Sequence, residues 1–154
     1  ITIFDPEKGV LALAHGSRKS VGAGLLATVI EKMRDDLDAA PERMLVRIGP
    51  FIHQKSYVFP IEARERGGKL ETEAKDIEWQ PFLLNEGRLV QVEINGLAVN
   101  HMLACGIKEA NIHTSNIDTR ASTSHFSHAR ATDPAKITGK REREGRFATV
   151  AMMR

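Results

Sequence analysis

The stretch from Val10 to Leu37 constrains the fold more than any other. A short aliphatic run, Val10 to Ala14, ends at His15-Gly16, and from Val21 the apolar residues Val21, Leu25, Leu26, Val29, Ile30, Met33 and Leu37 recur at helical spacing. That spacing predicts an amphipathic helix of about five turns at 3.6 residues per turn, with Ser20 as the candidate N-cap and Pro41 just beyond the end. A strand feeding a one-faced helix must bury both against further elements, which argues against a disordered chain. Upstream, Ile1 to Phe4 is a second apolar run, separated from the first by Asp5-Pro6-Glu7-Lys8-Gly9. Its Pro and Gly suit a hairpin connection, so two adjacent antiparallel strands are expected.

Further along, Met44 to Ile48 reads as a buried strand stopped by Gly49-Pro50, and Tyr57 to Phe59 as a short extended piece. Arg64 to Asp76 is polar enough for a loop or an edge helix. Leu89 to Val92 reads as a strand. Ile94, Leu97, Ala98, Met102 and Leu103 form a second helical stripe, which Gly106 can end in the left-handed conformation. Ala110 to Thr114 and Arg146 to Met153 are expected strands, and Thr114 to Ser124 and Asp133 to Glu144 polar loops. Strands interrupted by two long helices make an α+β or mixed α/β domain rather than a regular βαβ series.

With 154 residues, 42% hydrophobic and 27% charged, the chain fits one domain, residues 1–154, with a real core. A net charge of +2 gives no field that argues for nucleic acid or a membrane as partner. Cys105 is the only cysteine, which excludes an intramolecular disulfide and suits a reducing, cytoplasmic setting. No basic leader with an apolar core precedes the first strand, and no apolar run approaches the roughly 18 residues needed to span a bilayer. The chain does not begin with Met, so an upstream segment that was removed or not included is expected.

Few residues carry chemistry by pattern alone. His15 follows a strand, which holds an imidazole rigidly, and the Gly after it permits close approach of a substrate or metal. His125 and His128 sit three apart near the C-terminus and could join His15 in a metal set, although their surroundings read as strand or loop. His53, His101 and His113 suit surface or packing roles. Cys105 reads as a buried, inert thiol in the last turn of the second helix, and Trp79 and Phe82 as anchors of a satellite core. No Gly-rich phosphate loop, Gly-x-Ser-x-Gly elbow or paired-Cys zinc pattern occurs.

Several stretches nevertheless stand in a familiar order. Ile1 to Gly9 runs into the strand ending at His15, followed by Ala23-Gly24 and an aliphatic helix, Gly49-Pro50, Gly87 and Cys105-Gly106-Ile107. Phe126-Ser127-His128-Ala129-Arg130 and Gly145-Arg146-Phe147-Ala148 close the series. Together they resemble the C-terminal part of the laccase-domain family, also known as multicopper polyphenol oxidase, purine nucleoside phosphorylase and peptidoglycan editing factor. The resemblance covers essentially the whole chain. It implies a mixed β-sheet sandwich flanked by two main helices.

The resemblance also implies a zinc site in which His15 joins a His and a Cys expected upstream of Ile1, in a segment that includes an Ala-Asp-Cys-Leu-Pro stretch. On this reading the chain lacks half of that site and binds metal weakly, or not at all, by itself. Lys19 and Arg130 are implied as anion contacts of the catalytic centre, and Ser127 and His128 as substrate-positioning residues. The match is imperfect: Arg18 stands where the family has Trp, Lys19 where it has Arg, and Ala129 replaces the first arginine of the closing motif.

The implied activity is zinc-dependent phosphorolysis of purine nucleosides, with purine nucleoside and phosphate as partners and a related deamination of adenosine. Two alternatives stay open. One is a catalytically inactive, truncated module with a structural or ligand-binding role, and the other an editing hydrolase of peptidoglycan precursors. A copper oxidase would need several His and Cys ligand sets, which the sequence does not offer. With the upstream strands absent, the first strand is expected to be a sheet edge through which the chain forms a homo-oligomer.

Overall fold

The computed structural model describes residues 1–60, 81–131 and 145–152. Four strands, β1 (Thr2–Asp5), β2 (Val10–Leu13), β3 (Leu45–Ile48) and β7 (Ile112–Thr114), form a mixed sheet in the order β2-β1-β3-β7. Strand β1 runs antiparallel to both neighbours, and β3 runs parallel to β7. A second, antiparallel sheet in the order β4-β6-β5 comprises β4 (Val58–Pro60), β5 (Leu83–Glu86) and β6 (Leu89–Val92). The α-helices among the described residues are α1 (Arg18–Gly22), α2 (Leu25–Leu37), α3 (Ile94–Ala104) and α4 (His128–Ala131). This is the mixed α/β sandwich that the sequence predicts. Its sheet is divided in two, and α2 and α3 are the main helices.

One hydrophobic core joins the layers. Ile3, Val46 and Ile48 come from the first sheet, Val90 and Val92 from the second, and Leu26, Ile30, Met33, Leu97 and Met102 from the helices. The α2 contributors are spaced by three or four residues, as one buried helical face requires. No helix among the described residues is long and apolar enough to cross a membrane.

The hairpin β1–β2 has the expected partners, Thr2 opposite Leu13 and Asp5 opposite Val10. Because Ile3 points into the core, so does Asp5 two residues on, and its carboxylate is fully buried. It is well provided with donors. Oδ1 accepts the amide N–H of Glu7 at 2.9 Å and of Lys8 at 3.3 Å, fastening the turn. Oδ2 accepts the Ala40 amide at 2.9 Å and the Arg43 guanidinium at 3.0 Å. Burial by itself would raise the Asp5 pKa, but the Ala40 amide, Arg43 and the Glu7 and Lys8 amides outweigh it and hold the group at about 2.

Five sequence expectations are corrected. The single helix from Val21 to Leu37 is two, because Gly24 takes φ +78° between α1 and α2. Ser20 is not the N-cap. Ser17 caps α1, and Ser20, three residues on, returns the bond, so each side-chain oxygen accepts the other residue's amide, at 3.1 and 2.9 Å. Strand β1 is not an edge but lies between β2 and β3, so pairing of two copies through it has no free ladder to use. Residues 146–152 form no strand, and residues 110 and 111 of the expected 110–114 strand belong to a 3₁₀ turn over Glu109–Asn111.

Gly106 does end α3 as expected, at φ +94°, with its N–H on Leu103 O and the Ile107 N–H on Met102 O. The readings of Arg64 to Asp76, Trp79 and Asp133 to Glu144 lie outside the described residues.

Candidate functional site

A cleft of about 800 Å³ opens where several parts of the chain meet. The β2–α1 junction contributes His15, Gly16, Ser17 and Arg18, and the loop after β3 contributes Gly49, Pro50 and Phe51. The C-terminal stretches add Phe126, Ser127 and His128, then Gly145, Arg146 and Phe147, while Asn95 and Ala98 belong to the start of α3.

His15 reaches the cleft because its backbone is tied down on both sides. The Ala14 amide donates to Ile1 O at 2.8 Å and the Ile1 ammonium to Ala14 O at 2.9 Å, extending the hairpin by one pair. The His15 carbonyl then accepts the Ser17 amide at 3.0 Å and the Ser20 hydroxyl at 2.8 Å, so the cap of α1 also fixes the histidine. Its imidazole is exposed. Gly16 leaves room: a Cβ there would lie 2.8 Å from Ile1 Cδ1.

Arg18, the first residue of α1, also lines the cleft. Its guanidinium carbon stands 4.5 Å from the Phe59 ring centroid and 5.9 Å from that of Tyr57, so the cation is laid against an aromatic wall. The Trp that the resemblance expects here is thus replaced by a cation stacked on aromatics supplied by β4 and the residue before it. Lys19 follows about 100° round the helix. It is exposed and is not among the cleft-lining residues.

Ser127 and His128 enter the cleft together. Ser127 stands at the start of α4, its carbonyl accepting the Ala131 amide at 3.0 Å and its hydroxyl the Arg130 amide at 3.3 Å. His128 therefore opens a helical turn rather than lying in strand or loop.

Arg130 is not among the lining residues. Its Nη1 donates to the carbonyls of Thr119, Arg120 and Ser122 at 3.0, 2.9 and 2.6 Å, and its Nη2 to that of His125 at 2.7 Å. One guanidinium thereby gathers the loop 119–125, which carries Thr119 into the cleft wall.

Asp118 anchors the same loop from its other end. Its carboxylate accepts the Ser56 hydroxyl, the Arg120 amide at 2.9 Å and the His53 amide at 3.4 Å. Arg120 in turn donates to Ser56 O at 2.8 Å. Burial would raise the Asp118 pKa, but the bonds from Ser56, Arg120 and His53 prevail and lower it. The two loops flanking the cleft are thus bolted together through Asp118.

The described residues do not fit a zinc site on their own. Among them no three His, Cys, Asp or Glu side chains come together as a metal set. His15 and His128 share the cleft. His125 does not line it: its Nδ1 lies 2.9 Å from the Ser122 hydroxyl, and its ring stands edge-on to Phe147. Cys105 is half-buried at the C-cap of α3, where burial raises the thiol pKa and favours the unreactive protonated form.

Sequence reasoning brought His15, Ser127 and His128 to this place and missed the contributions of Arg18, Arg146 and the aromatic lining. The Ser-x-x-Ser pair at Ser17 and Ser20 was the available signal, since a cap at Ser17 starts the helix at Arg18, beside His15.

Comparison with known proteins bears on this site. The profile of the family described as multi-copper polyphenol oxidoreductase laccase matches residues 1–154. A purine nucleoside phosphorylase of Streptomyces coelicolor is 27% identical over 140 residues, covering 90% of this chain and 53% of its own length. Another from Streptomyces griseus is 26% identical over 140 residues, covering 90% and 52%. The chain spans about half the length of these curated relatives.

Among solved structures, the hypothetical protein YfiH of Bacillus licheniformis superposes with a TM-score of 0.68 at 22% identity, covering 84% of this chain and 48% of its own. YlmD of Geobacillus stearothermophilus gives 0.70 at 18% identity, covering 84% and 47%. These two likenesses show the fold.

Proposed function

The chain belongs to the multi-copper polyphenol oxidoreductase laccase family, and from that membership we propose that it acts on purine nucleosides, splitting the glycosidic bond with inorganic phosphate. The observation that carries this reading is the convergence of His15, Ser127 and His128 on one aromatic-lined cleft in a chain whose curated relatives are purine nucleoside phosphorylases. Phe51, Tyr57, Phe126 and Phe147 offer flat apolar surface of the kind a purine base stacks on. Ser127 and His128 supply donors and acceptors for the ribose hydroxyls.

In the reaction a phosphate oxygen forms a bond to ribose C1′ as the bond from C1′ to the purine nitrogen breaks. The electron pair leaves with the base, which takes up a proton. The described residues serve this chemistry by binding and orienting, which brings the phosphate oxygen in line with C1′. His15 is this chain's contribution to the zinc site that the family resemblance implies. Arg130 acts by shaping the wall, and Lys19 stands outside it. Deamination of adenosine in the same cleft belongs to this reading, as does a cytoplasmic setting in which Cys105 stays a thiol.

The test is incubation of the purified protein with inosine, guanosine and adenosine, with and without phosphate, separating products by liquid chromatography. Free base together with ribose 1-phosphate, formed only when phosphate is present, is the expected result. No base above the enzyme-free blank, with zinc supplied or withheld, would overturn the reading and favour a ligand-binding module without turnover.

A further inference from the structure

The turn of α3 that faces the cleft carries one polar side chain. Ile94, Asn95 and Ala98 line the cleft from this helix, and Asn95 shares a face with Ala98 three residues on. An asparagine in a first helical turn commonly folds back on the backbone amides there. In this helix Glu93 has taken that place. Its carboxylate accepts the Asn95 amide at 3.1 Å and the Gly96 amide at 3.2 Å, so the Asn95 side chain is released from capping.

The Asn95 Oδ1 is enclosed and accepts no hydrogen bond among the described residues. A buried amide oxygen without a donor is destabilising where it stands, and at the wall of a cleft a ligand can bring the donor it lacks. The backbone beneath it is firmly held. A Cβ on Gly96 would lie 2.9 Å from both Glu93 Cγ and Phe82 Cδ1, and the Glu93 amide donates to Phe82 O at 2.8 Å. What turns is the amide itself, about χ2, a soft torsion with broad minima.

We propose that Asn95 reads the C6 edge of the purine base and is the specificity-determining residue of the cleft. A side-chain amide sets one acceptor beside one donor. Facing inosine or guanosine, Oδ1 accepts N1–H while Nδ2 donates to O6. Turned over about χ2, the same amide accepts from the N6 amino group of adenosine and donates to the ring nitrogen beside it. The aromatic side chains of the cleft hold the faces of the base, and Asn95 supplies a preference at one edge that flat apolar surface cannot. A base without a polar group at C6 leaves the amide unpaired and is bound less tightly.

The inference rests on the nucleoside reading above, and its test separates the two. Inosine is compared with purine riboside, which carries only hydrogen at C6, by calorimetry on the wild type, Asn95→Leu, Asn95→Asp and Asn100→Leu. Asn100 is exposed on the same helix and is not among the cleft-lining residues. Wild type and Asn100→Leu are expected to bind inosine about tenfold more tightly than purine riboside, the net worth of two hydrogen bonds. Asn95→Leu should bind the two ligands equally. Asn95→Asp keeps the shape of the side chain but sets a carboxylate oxygen against O6, so it should lose the preference as well and keeps the test valid should the leucine variant fail to fold.

An unchanged ratio in both Asn95 variants overturns the proposal, and inosine phosphorolysis with an unaltered KM in them leaves the phosphorolysis reading standing. Absence of binding of either nucleoside at millimolar concentration overturns both. An Asn95-dependent preference for inosine without phosphate-dependent release of the base supports the edge contact and removes the phosphorolysis reading instead.

Discussion

Replacing Asp5 by alanine is expected to lower the free energy of unfolding by about 3 kcal/mol, the scale seen when one partner of a buried, hydrogen-bonded ion pair is removed. The loss has three parts. The turn amides of Glu7 and Lys8 lose their acceptor, the Ala40 amide loses its own, and Arg43 keeps only its bond to Glu7 at 3.1 Å. Asp5→Asn should fall between, because the amide oxygen can still accept one or two of these bonds. Urea unfolding of the three proteins measures the differences.

The pH dependence follows from the same contacts. The folded carboxyl has its pKa at about 2, below its ordinary value of 3.8. The folded state therefore releases the proton more readily than the unfolded state, and the stabilisation is complete above 3.8. It fades as the pH falls from there through about 2. The alanine variant should lose that part of its acid sensitivity. An Asp5→Ala protein as stable as wild type, with the same acid midpoint, would show that the buried carboxylate does not hold the hairpin to residues 40–43.

Arg130→Ala is the second change expected to have a large effect, about 3 kcal/mol from four carbonyl contacts that water only partly replaces once the side chain is gone. Unlike the Asp5 effect it should be concentrated in one place. The amides of residues 119–125 lose their protection in hydrogen exchange, and substrate KM rises because Thr119 and the Phe126–His128 segment no longer hold the cleft wall. Arg130→Lys should behave like the alanine variant, because a single ammonium cannot span carbonyls that the planar fork reaches together. Restoration of full protection by lysine would reduce Arg130 to a point charge.

The distance over which a residue finds its partner separates what the sequence discloses from what it conceals. The β1–β2 hairpin, α2 and the Gly106 stop were legible because their causes are local: Pro6 and Gly9 in the turn, an apolar stripe, a glycine at a helix end. Asp5 gave no sign of burial because Arg43, which holds it, lies 38 residues away. Gly24 hid inside a continuous apolar stripe, since a glycine costs an exposed helix interior only about 1 kcal/mol and need not break it.

At the site, His15, Ser127 and His128 stood on motifs whose order could be matched. The shift of the cleft cation from Lys19 to Arg18 turns on one residue of helix phase, which only the Ser17 cap decides. Arg130 stands in the sequence as a ligand contact because bonds from a side chain to backbone carbonyls leave no trace in residue identity. Arg146 falls in an expected strand, although residues 145–152 take no strand pairing.

Chemical-shift mapping of inosine binding tests the central claim most directly, since it reports where a nucleoside sits whether or not it is turned over. With uniformly labelled protein, the amide shifts should concentrate at residues 15–18, 126–129 and 145–147, with smaller changes at Phe51 and Asn95. Shifts confined to another face, or none at saturating nucleoside, would contradict the assignment of this cleft as the functional site.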